Sequence, residues 1–125
     1  MEKILIVDDD QAMCETLMDI LSEENYHIDI ANNGSSALQK IKTTKFDLVI
    51  TDIKMPIMDG MALLQEIEKN NVDLEVVIIT SYGHNAQQLE ASRLGAFEYL
   101  QKPLNLKQLK DIVSRALKLR AERIE

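Results

Sequence analysis

The 125-residue sequence has a single cysteine, Cys14, and no long apolar run. One cysteine cannot form an internal disulfide and leaves a redox role without a partner thiol, so we interpret Cys14 as a small, half-buried helix residue. A membrane span needs about 20 consecutive apolar residues, and the sequence has no such stretch. Residues 1–3 lead directly into a strand-like run without the features of a secretory leader. We therefore expect a cytoplasmic protein that does not contact a membrane.

Basic residues and glycines are also scarce. The 21 acidic residues outnumber the 14 basic ones, and the formal net charge is -7. Binding to a nucleic acid backbone rewards lysine and arginine, so we expect no direct contact with nucleic acid. Segment 8–12, after the first strand-like run, contains no glycine, which excludes the glycine-rich nucleotide-binding loops. Seven basic residues fall from Lys102 onward and place a basic face on the last helix, which we interpret as a solvated face rather than a partner site.

Short apolar runs separated by helical patterns indicate an α/β fold. Unbroken β-branched or aliphatic runs at 4–7, 48–50 and 76–79 are typical of strands buried on both faces. The runs at 28–30 and 97–99 alternate apolar with charged residues, as strands at the edges of a sheet do. A helical pattern follows each run. We predict a doubly wound, flavodoxin-like fold with five helices and five parallel strands in the order 2-1-3-4-5.

Two helical patterns differ from the others. The fourth, around residues 86–94, has few apolar residues to bury, so it should be among the less stable elements, with Gly95 as its stop. The last pattern continues beyond residue 117, which is further than packing on such a sheet would require. We assign residues 1–118 to one domain and residues 119–125 to a helical extension that could begin a linker.

Five polar side chains directly follow strand-like runs: Asp8, Asp9, Asp52, Thr80 and Lys102. The carboxyl ends of parallel strands meet at one edge of the sheet, so these side chains should lie close together. Crowded carboxylates repel each other by about 4 kcal/mol per close pair at an effective dielectric near 20, and they require a cation. Mg²⁺ suits them because it binds carboxylate and phosphate oxygens together. The alternative for the first two aspartates is a helix cap without metal.

Asp52 precedes a turn-rich loop, residues 54–60, that contains Pro and Gly. A carboxylate held there can attack phosphorus and form an acyl phosphate. Lys102 can supply a second cation at the phosphate, and the proline after it permits a cis bond that could aim its side chain into the crevice. Thr80 ends the most hydrophobic strand, and its hydroxyl can donate a hydrogen bond. Alone, Thr80 and Tyr99 are compatible with an ordinary strand-end residue and an edge aromatic; with the others they predict a switch pair.

These motifs together resemble the receiver domain of two-component response regulators, over residues 3 to about 117. The resemblance rests on residues that occur in the expected order and spacing: Asp8, Asp9, Asp52, Met55, Pro56, Asp59, Gly60, Thr80, Ser81, Tyr99, Lys102 and Pro103. It implies a signalling switch rather than an enzyme. Asp52 would accept a phosphoryl group from the phosphohistidine of a histidine kinase or phosphotransfer protein, or from a small donor such as acetyl phosphate.

The resemblance also implies roles for the neighbours of the acceptor. Lys102 and Thr80 would contact the phosphoryl oxygens. Tyr99 would turn inward and remodel the surface formed by helix 4, strand 5 and helix 5. The implied Mg²⁺ ligands are Asp9, Asp52 and the backbone carbonyl of Lys54, with Asp8 assisting through water.

A Mg²⁺-dependent phosphohydrolase with an aspartyl nucleophile is the alternative function. The haloacid dehalogenase type needs a second aspartate two residues after the nucleophile as general acid, and Lys54 stands there. An interaction module that works without phosphorylation is a third possibility. It is disfavoured because none of the expected site residues is missing.

Residues 96–103 resemble those of receivers joined to ATPase-type transcriptional activators of the NtrC type, an analogy at the level of the family. The analogy implies an output domain on the same chain that controls transcription, although a stand-alone receiver fits the sequence too. A homodimer through helices 4 and 5, or through Leu117, Ala121 and Ile124 of the last helix, is also left open.

Overall fold

The computed structural model describes residues 2–81 and 85–123. Strands and helices alternate along the chain: β1 (Lys3–Val7), α1 (Gln11–Ser22), β2 (His27–Ala31), α2 (Gly34–Thr43), β3 (Leu48–Thr51), α3 (Gly60–Lys69), β4 (Glu75–Thr80), α4 (Asn85–Arg93), β5 (Glu98–Gln101) and α5 (Leu106–Arg123). The strands form one parallel sheet in the order β2-β1-β3-β4-β5. The predicted α/β fold and strand order are therefore confirmed.

The central strands are buried because helices cover both faces of the sheet. β3 and β4 have no exposed residue, and only the first residue of β1 is exposed. Ile4 and Ile6 pack in the layer of α1 and α5, whereas Leu5 and Val7 pack in the layer of α2 and α3. This alternation follows from the two-residue period of a strand. β2 and β5 are only partly buried, as predicted for the sheet edges.

Side-chain caps fix where the first three helices begin. Asp10, Asn33 and Asp59 precede α1, α2 and α3, and each carboxylate or amide oxygen accepts hydrogen bonds from backbone N–H groups in the first turn of its helix. Such caps satisfy donors that have no partner within the helix. Asp59 therefore fixes the end of the loop that begins after β3.

α4 is the least firmly packed helix, as its sequence predicts. Among its side chains in the described part of the chain, only that of Ala91 is buried, and Leu89 is largely exposed. The chain turns after the helix at Gly95, whose φ of 92° suits glycine. α4 therefore contributes little to the core.

The interpretation of Cys14 as half-buried was wrong. Its side chain is completely buried between α1 and the sheet, and its Sγ–H donates to the backbone carbonyl of Asp8 at 3.4 Å. Burial raises the pKa of the thiol to about 11, and the charge of Asp8 adds to this increase. Cys14 is therefore a protonated core residue.

α5 corrects two further expectations. The basic residues of this helix do not form a wholly solvated face, because Arg120 is buried and bound to aspartates at the amino-terminal edge of the sheet. Leu117 is only 6% exposed and belongs to the core, so it is not available for a dimer contact. Ala121 is exposed, and Ile124 lies outside the described residues. The boundary placed at residue 118 stays a prediction.

Within residues 2–81 and 85–123, none of the helices combines the length and the apolar character that a membrane span requires.

Candidate metal centre

Three carboxylates meet where β1 and β3 end, because these two strands pair in register. Val7 lies opposite Thr51, and the Asp52 N–H donates to the Val7 carbonyl at 3.0 Å. Asp8 and Asp9 therefore leave β1 beside Asp52. One oxygen from each of the three carboxylates can be chosen so that all lie within 4.8 Å of one another. The structure thus brings together the acidic residues that the sequence predicts.

Lys102 reaches the same cluster from β5. Thr80 lies opposite Gln101, and the Lys102 N–H donates to the Thr80 carbonyl at 2.8 Å, so the lysine begins at the carboxyl edge of the sheet. Its Nζ lies 3.3 Å from Oδ2 of Asp8 and 3.1 Å from Oδ2 of Asp52. The peptide bond after Lys102 is cis. The ammonium group therefore bridges two of the three carboxylates.

Burial and charge act in opposite directions on this cluster. Burial raises the pKa of Asp8, while the Asp10 N–H and the Lys102 charge lower it and the Asp52 charge raises it again; the result is an increase. Burial lowers the pKa of Lys102, but its contacts with the two carboxylates outweigh this effect and raise the pKa. The Lys102 ammonium carries one positive charge beside three carboxylates, so a further cation would be stabilised there.

Asp10, which the prediction of the site did not include, acts as the helix cap at this edge. Its Oδ1 accepts hydrogen bonds from the N–H groups of Ala12 and Met13 at 3.0 and 3.3 Å. The residue that caps α1 is therefore Asp10, and not Asp8 or Asp9 as the alternative interpretation of those two aspartates required. An aspartate directly before a helical pattern was the signal that could have shown this.

The two predicted switch residues lie on β4 and β5. Thr80 is completely buried at the end of β4. Tyr99 is partly buried against the core layer of α2, α3 and α4; burial raises the pKa of its hydroxyl, and the charge of Asp52 adds to the increase. Tyr99 also lines a cavity of about 100 Å³ between α4 and β5. Tyr99 therefore borders a small cavity next to the weakly packed helix.

The loop after β3 borders the opening of the site. Lys54 is exposed and, with Asp9 and Met55, lines an open cavity of about 330 Å³. Two glycines fix this loop through contacts that no periodic pattern in the sequence indicates. Gly60 packs against the backbone of Asp52, and Gly34 packs against Met58.

A model of the response regulator receiver domain matches residues 4–114 of this chain. The chain belongs to the response regulator receiver family. The transcriptional regulatory protein ZraR of Klebsiella oxytoca is 42% identical over 114 residues, which are 91% of this chain and 26% of that protein. Sporulation initiation phosphotransferase F of Bacillus subtilis is 34% identical, and the match covers 96% of this chain and 97% of that protein. Receiver domains therefore occur within longer regulators and nearly alone.

Solved structures agree with this assignment. The response regulator TrrA of Thermotoga maritima, in complex with Mg²⁺ and BeF, has a TM-score of 0.84 and 40% identity, and the match covers 93% of this chain and 99% of that one. This receiver spans about a quarter of the length of the first curated relatives, which are transcriptional regulators.

Receiver domains are signalling switches that bind Mg²⁺ at an acidic pocket, and the residues of this chain fit that ion. Mg²⁺ prefers hard oxygen ligands from one or two carboxylates and keeps several waters. Asp8, Asp9 and Asp52 supply such oxygens. The buried carboxyl of Asp8 carries a raised pKa, so its charge is incompletely compensated by its neighbours. A divalent cation would relieve that charge.

We expect the Asp8→Asn variant to be more stable than the wild type in Mg²⁺-free buffer near pH 7, by on the order of 1 kcal/mol. Asn keeps the oxygen that accepts from the Asp10 N–H but carries no charge, and Lys102, which loses its contact with Asp8, keeps Asp52 as a partner. Because the folded-state pKa of Asp8 is raised, its ionisation opposes folding, and wild-type stability should fall as pH rises above the ordinary carboxyl range near ~4.

The same variant should respond less to metal. Mg²⁺ at 100 times its Kd should raise the wild-type free energy of unfolding by about 2.7 kcal/mol, and the same concentration should raise that of Asp8→Asn much less. Urea unfolding with and without Mg²⁺ measures both effects. An Asp8→Asn protein less stable than the wild type without Mg²⁺ would contradict the prediction.

Proposed function

We propose that Asp52 accepts a phosphoryl group in a Mg²⁺-dependent reaction and that the modified domain controls an output domain or partner. The observation that carries the proposal is the position of the Lys102 ammonium, 3.1 Å from the Asp52 carboxylate and 3.3 Å from that of Asp8. Oxygen ligands for a metal and a cation for phosphoryl oxygens thus flank the same candidate nucleophile. Phosphoryl transfer requires this combination of charges.

The transfer forms one bond and breaks another. An Asp52 carboxylate oxygen attacks phosphorus, and the bond from phosphorus to the donor breaks. The leaving group is acetate when the donor is acetyl phosphate and the histidine imidazole when the donor is phosphohistidine. Lys102 and Thr80 bind the phosphoryl oxygens. Bound Mg²⁺ supplies positive charge that offsets the charge on those oxygens. The residues proposed to hold it are Asp9, Asp52, the backbone carbonyl of Lys54 and, through water, Asp8.

The phosphoryl group then acts as a switch. It adds about -1.5 to -2 charges next to Lys102 and Thr80, and their movement toward it makes room for Tyr99 to turn inward. The surface of α4, β5 and α5 changes with Tyr99, because α4 is weakly packed. Shifting a two-state equilibrium from 1:99 to 99:1 takes about 5.5 kcal/mol, which a few charge-assisted hydrogen bonds can supply.

A histidine kinase or phosphotransfer protein is the proposed donor, and an output domain on the same chain that acts in transcription is the proposed target. The sequence similarity to transcriptional regulators supports the second point. A homodimer, through α4 and α5 or through the carboxyl-terminal end of α5, stays a prediction.

Because Leu117 is buried, a dimer contact at the carboxyl-terminal end of α5 would depend on Ala121. Sedimentation should therefore show a weaker dimer for Ala121→Glu than for the wild type. Equal behaviour of the two proteins would argue against this contact.

One experiment separates the proposed receiver from the two alternatives. The protein is mixed with acetyl phosphate and Mg²⁺, and both protein-bound and released phosphate are followed over time. A receiver should approach one bound phosphate per chain with slow release. A phosphohydrolase should release many equivalents with little bound phosphate, and a module that works without phosphorylation should bind neither phosphate nor, in calorimetry, Mg²⁺.

A further inference from the structure

The loop between β3 and α3 is closed at the acceptor by Gly60. The Gly60 N–H donates to the Ile53 carbonyl at 2.8 Å. A Cβ at Gly60 would lie 2.0 Å from the Asp52 carbonyl oxygen. The first residue of α3 therefore packs directly on the backbone of the proposed phosphoryl acceptor. This contact joins the two ends of the loop, and the part of the loop around Met58 packs on a second helix.

A second helix supplies that contact through Gly34, the first residue of α2. Its N–H donates to the Met58 carbonyl at 2.9 Å, and a Cβ there would lie 2.6 Å from that oxygen and 2.8 Å from Cγ of Met58. The φ of Gly34 lies outside the left-handed range, so close approach, rather than an unusual backbone angle, requires the glycine. No residue of α2 belongs to the acidic cluster of Asp8, Asp9 and Asp52.

The segment held by Gly34 has a strained backbone. The Met58 N–H donates to the Pro56 carbonyl at 2.8 Å, which closes a γ-turn centred on Ile57, whose φ is 72°. Such turns are rare and strained, and a β-branched residue with positive φ is an outlier. The Ile57 side chain is 84% exposed, so burial of this side chain does not offset the strain. Strained conformations persist where the surrounding structure holds them in place.

We propose that Gly34 is a positioning residue for the metal site: it holds the strained loop of residues 53–59 in the conformation that presents the Lys54 carbonyl to Mg²⁺. This inference rests on the proposed function, because Lys54 is a ligand only if the acidic cluster binds the ion. The sequence of contacts is short. The Gly34 amide fixes the Met58 carbonyl, the γ-turn at Ile57 connects Met58 to Pro56, and Pro56 is two residues from Lys54.

Calorimetric titration of the full chain with Mg²⁺ tests the proposal. Gly34→Ala should weaken Mg²⁺ binding at least tenfold while the helical content stays that of the wild type. Ser35→Ala, a change at the next position of α2, should bind Mg²⁺ as the wild type does. A purely structural role would lower the melting temperature of Gly34→Ala but leave its Mg²⁺ dissociation constant unchanged, and that result would overturn the proposal.

A second pair of variants acts on the loop itself and decides the question if Gly34→Ala does not fold. Ile57→Pro cannot adopt a positive φ, so it should weaken Mg²⁺ binding about tenfold without altering the core. Ile57→Gly accepts the same φ without strain. It should therefore have a higher melting temperature than the wild type and bind Mg²⁺ with wild-type affinity. Equal weakening in both would attribute the effect to the Ile57 side chain and contradict the proposal. Failure of the wild type to bind Mg²⁺ would instead reject the proposed function.

Discussion

Replacing Arg120 by Ala should lower the free energy of unfolding by about 3 kcal/mol, because it empties a buried side-chain site and removes the partner of two partly exposed aspartates. The Arg120 side chain is 2% exposed, and its Nε lies 2.9 Å from Oδ1 of Asp47, while Nη1 lies 2.8 Å from Oδ1 of Asp73. The alanine variant leaves Asp47 without this partner and also creates a cavity. Equilibrium unfolding in urea, followed by circular dichroism, measures the loss.

Arg115 on the same helix provides the control. Its Nε lies 3.0 Å from Oδ2 of Asp111, but both side chains are more than half exposed, so Arg115→Ala should change stability by no more than about 0.5 kcal/mol. Arg120→Met, which keeps most of the volume without the charge, should be less destabilising than Arg120→Ala. Equal and small losses for both alanine variants would show that the buried contact does not anchor α5.

The Arg120 contact also predicts a pH dependence. The contact with Arg120 lowers the pKa of Asp73, so this contribution to stability is present above the ordinary carboxyl range and is lost as pH falls from that range through the lowered pKa. The loss of stability on the acid side should therefore be smaller in Arg120→Ala than in the wild type. Urea unfolding at a series of pH values compares the two proteins.

Gly60→Ala should destabilise the domain by about 3 kcal/mol and strongly weaken Mg²⁺ binding. A Cβ at this position would lie 2.0 Å from the Asp52 carbonyl oxygen, 2.9 Å from the Asp52 carbonyl carbon and 3.0 Å from Cα of Ile53. All three are backbone atoms, so the methyl group fits only if the acceptor itself moves. Overpacking of this kind costs roughly 1–3 kcal/mol and occasionally more. Urea unfolding and Mg²⁺ calorimetry on the same preparation measure both effects.

Gly95→Ala is the control for Gly60→Ala, because it replaces a glycine without placing a methyl group against the backbone of Asp52. Gly95 has a φ of 92°, and a Cβ there would lie 3.2 Å from only the end of the flexible Glu68 side chain. Its replacement should cost about 1 kcal/mol for the backbone conformation and leave Mg²⁺ affinity unchanged. If Gly60→Ala retained wild-type Mg²⁺ affinity, the close packing of α3 on Asp52 would not position the acceptor.

The acidic site could be predicted because two strong local signals combine. The runs that became β1, β3 and β4 are hydrophobic without interruption, which marks central parallel strands, and the polar residues at their ends must then meet at one edge. The pairing of Val7 with Thr51 and of Thr80 with Gln101 brings about this convergence. No knowledge of loop conformation was needed to expect Asp8, Asp52 and Lys102 together.

Contacts between distant segments were missed because no periodic pattern marks them. Arg120 was grouped with solvated basic residues, since its partners lie before β3 and β4, more than 40 residues away. Gly34 looks like any small residue near the start of a helix, and its contact with Met58 depends on how α2 meets a loop 24 residues later. Such contacts arise from the packing of whole elements, which a single sequence does not display.

The intact mass of the protein after incubation with acetyl phosphate tests the central claim most directly, with the wild type and Asp52→Asn measured side by side, each with and without Mg²⁺. The wild type should gain the mass of one phosphoryl group only when Mg²⁺ is present, and Asp52→Asn should gain none. A wild type that gains no mass over a wide range of donor and Mg²⁺ concentrations, or an Asp52→Asn variant that gains as much as the wild type, would contradict the assignment of Asp52 as the phosphoryl acceptor.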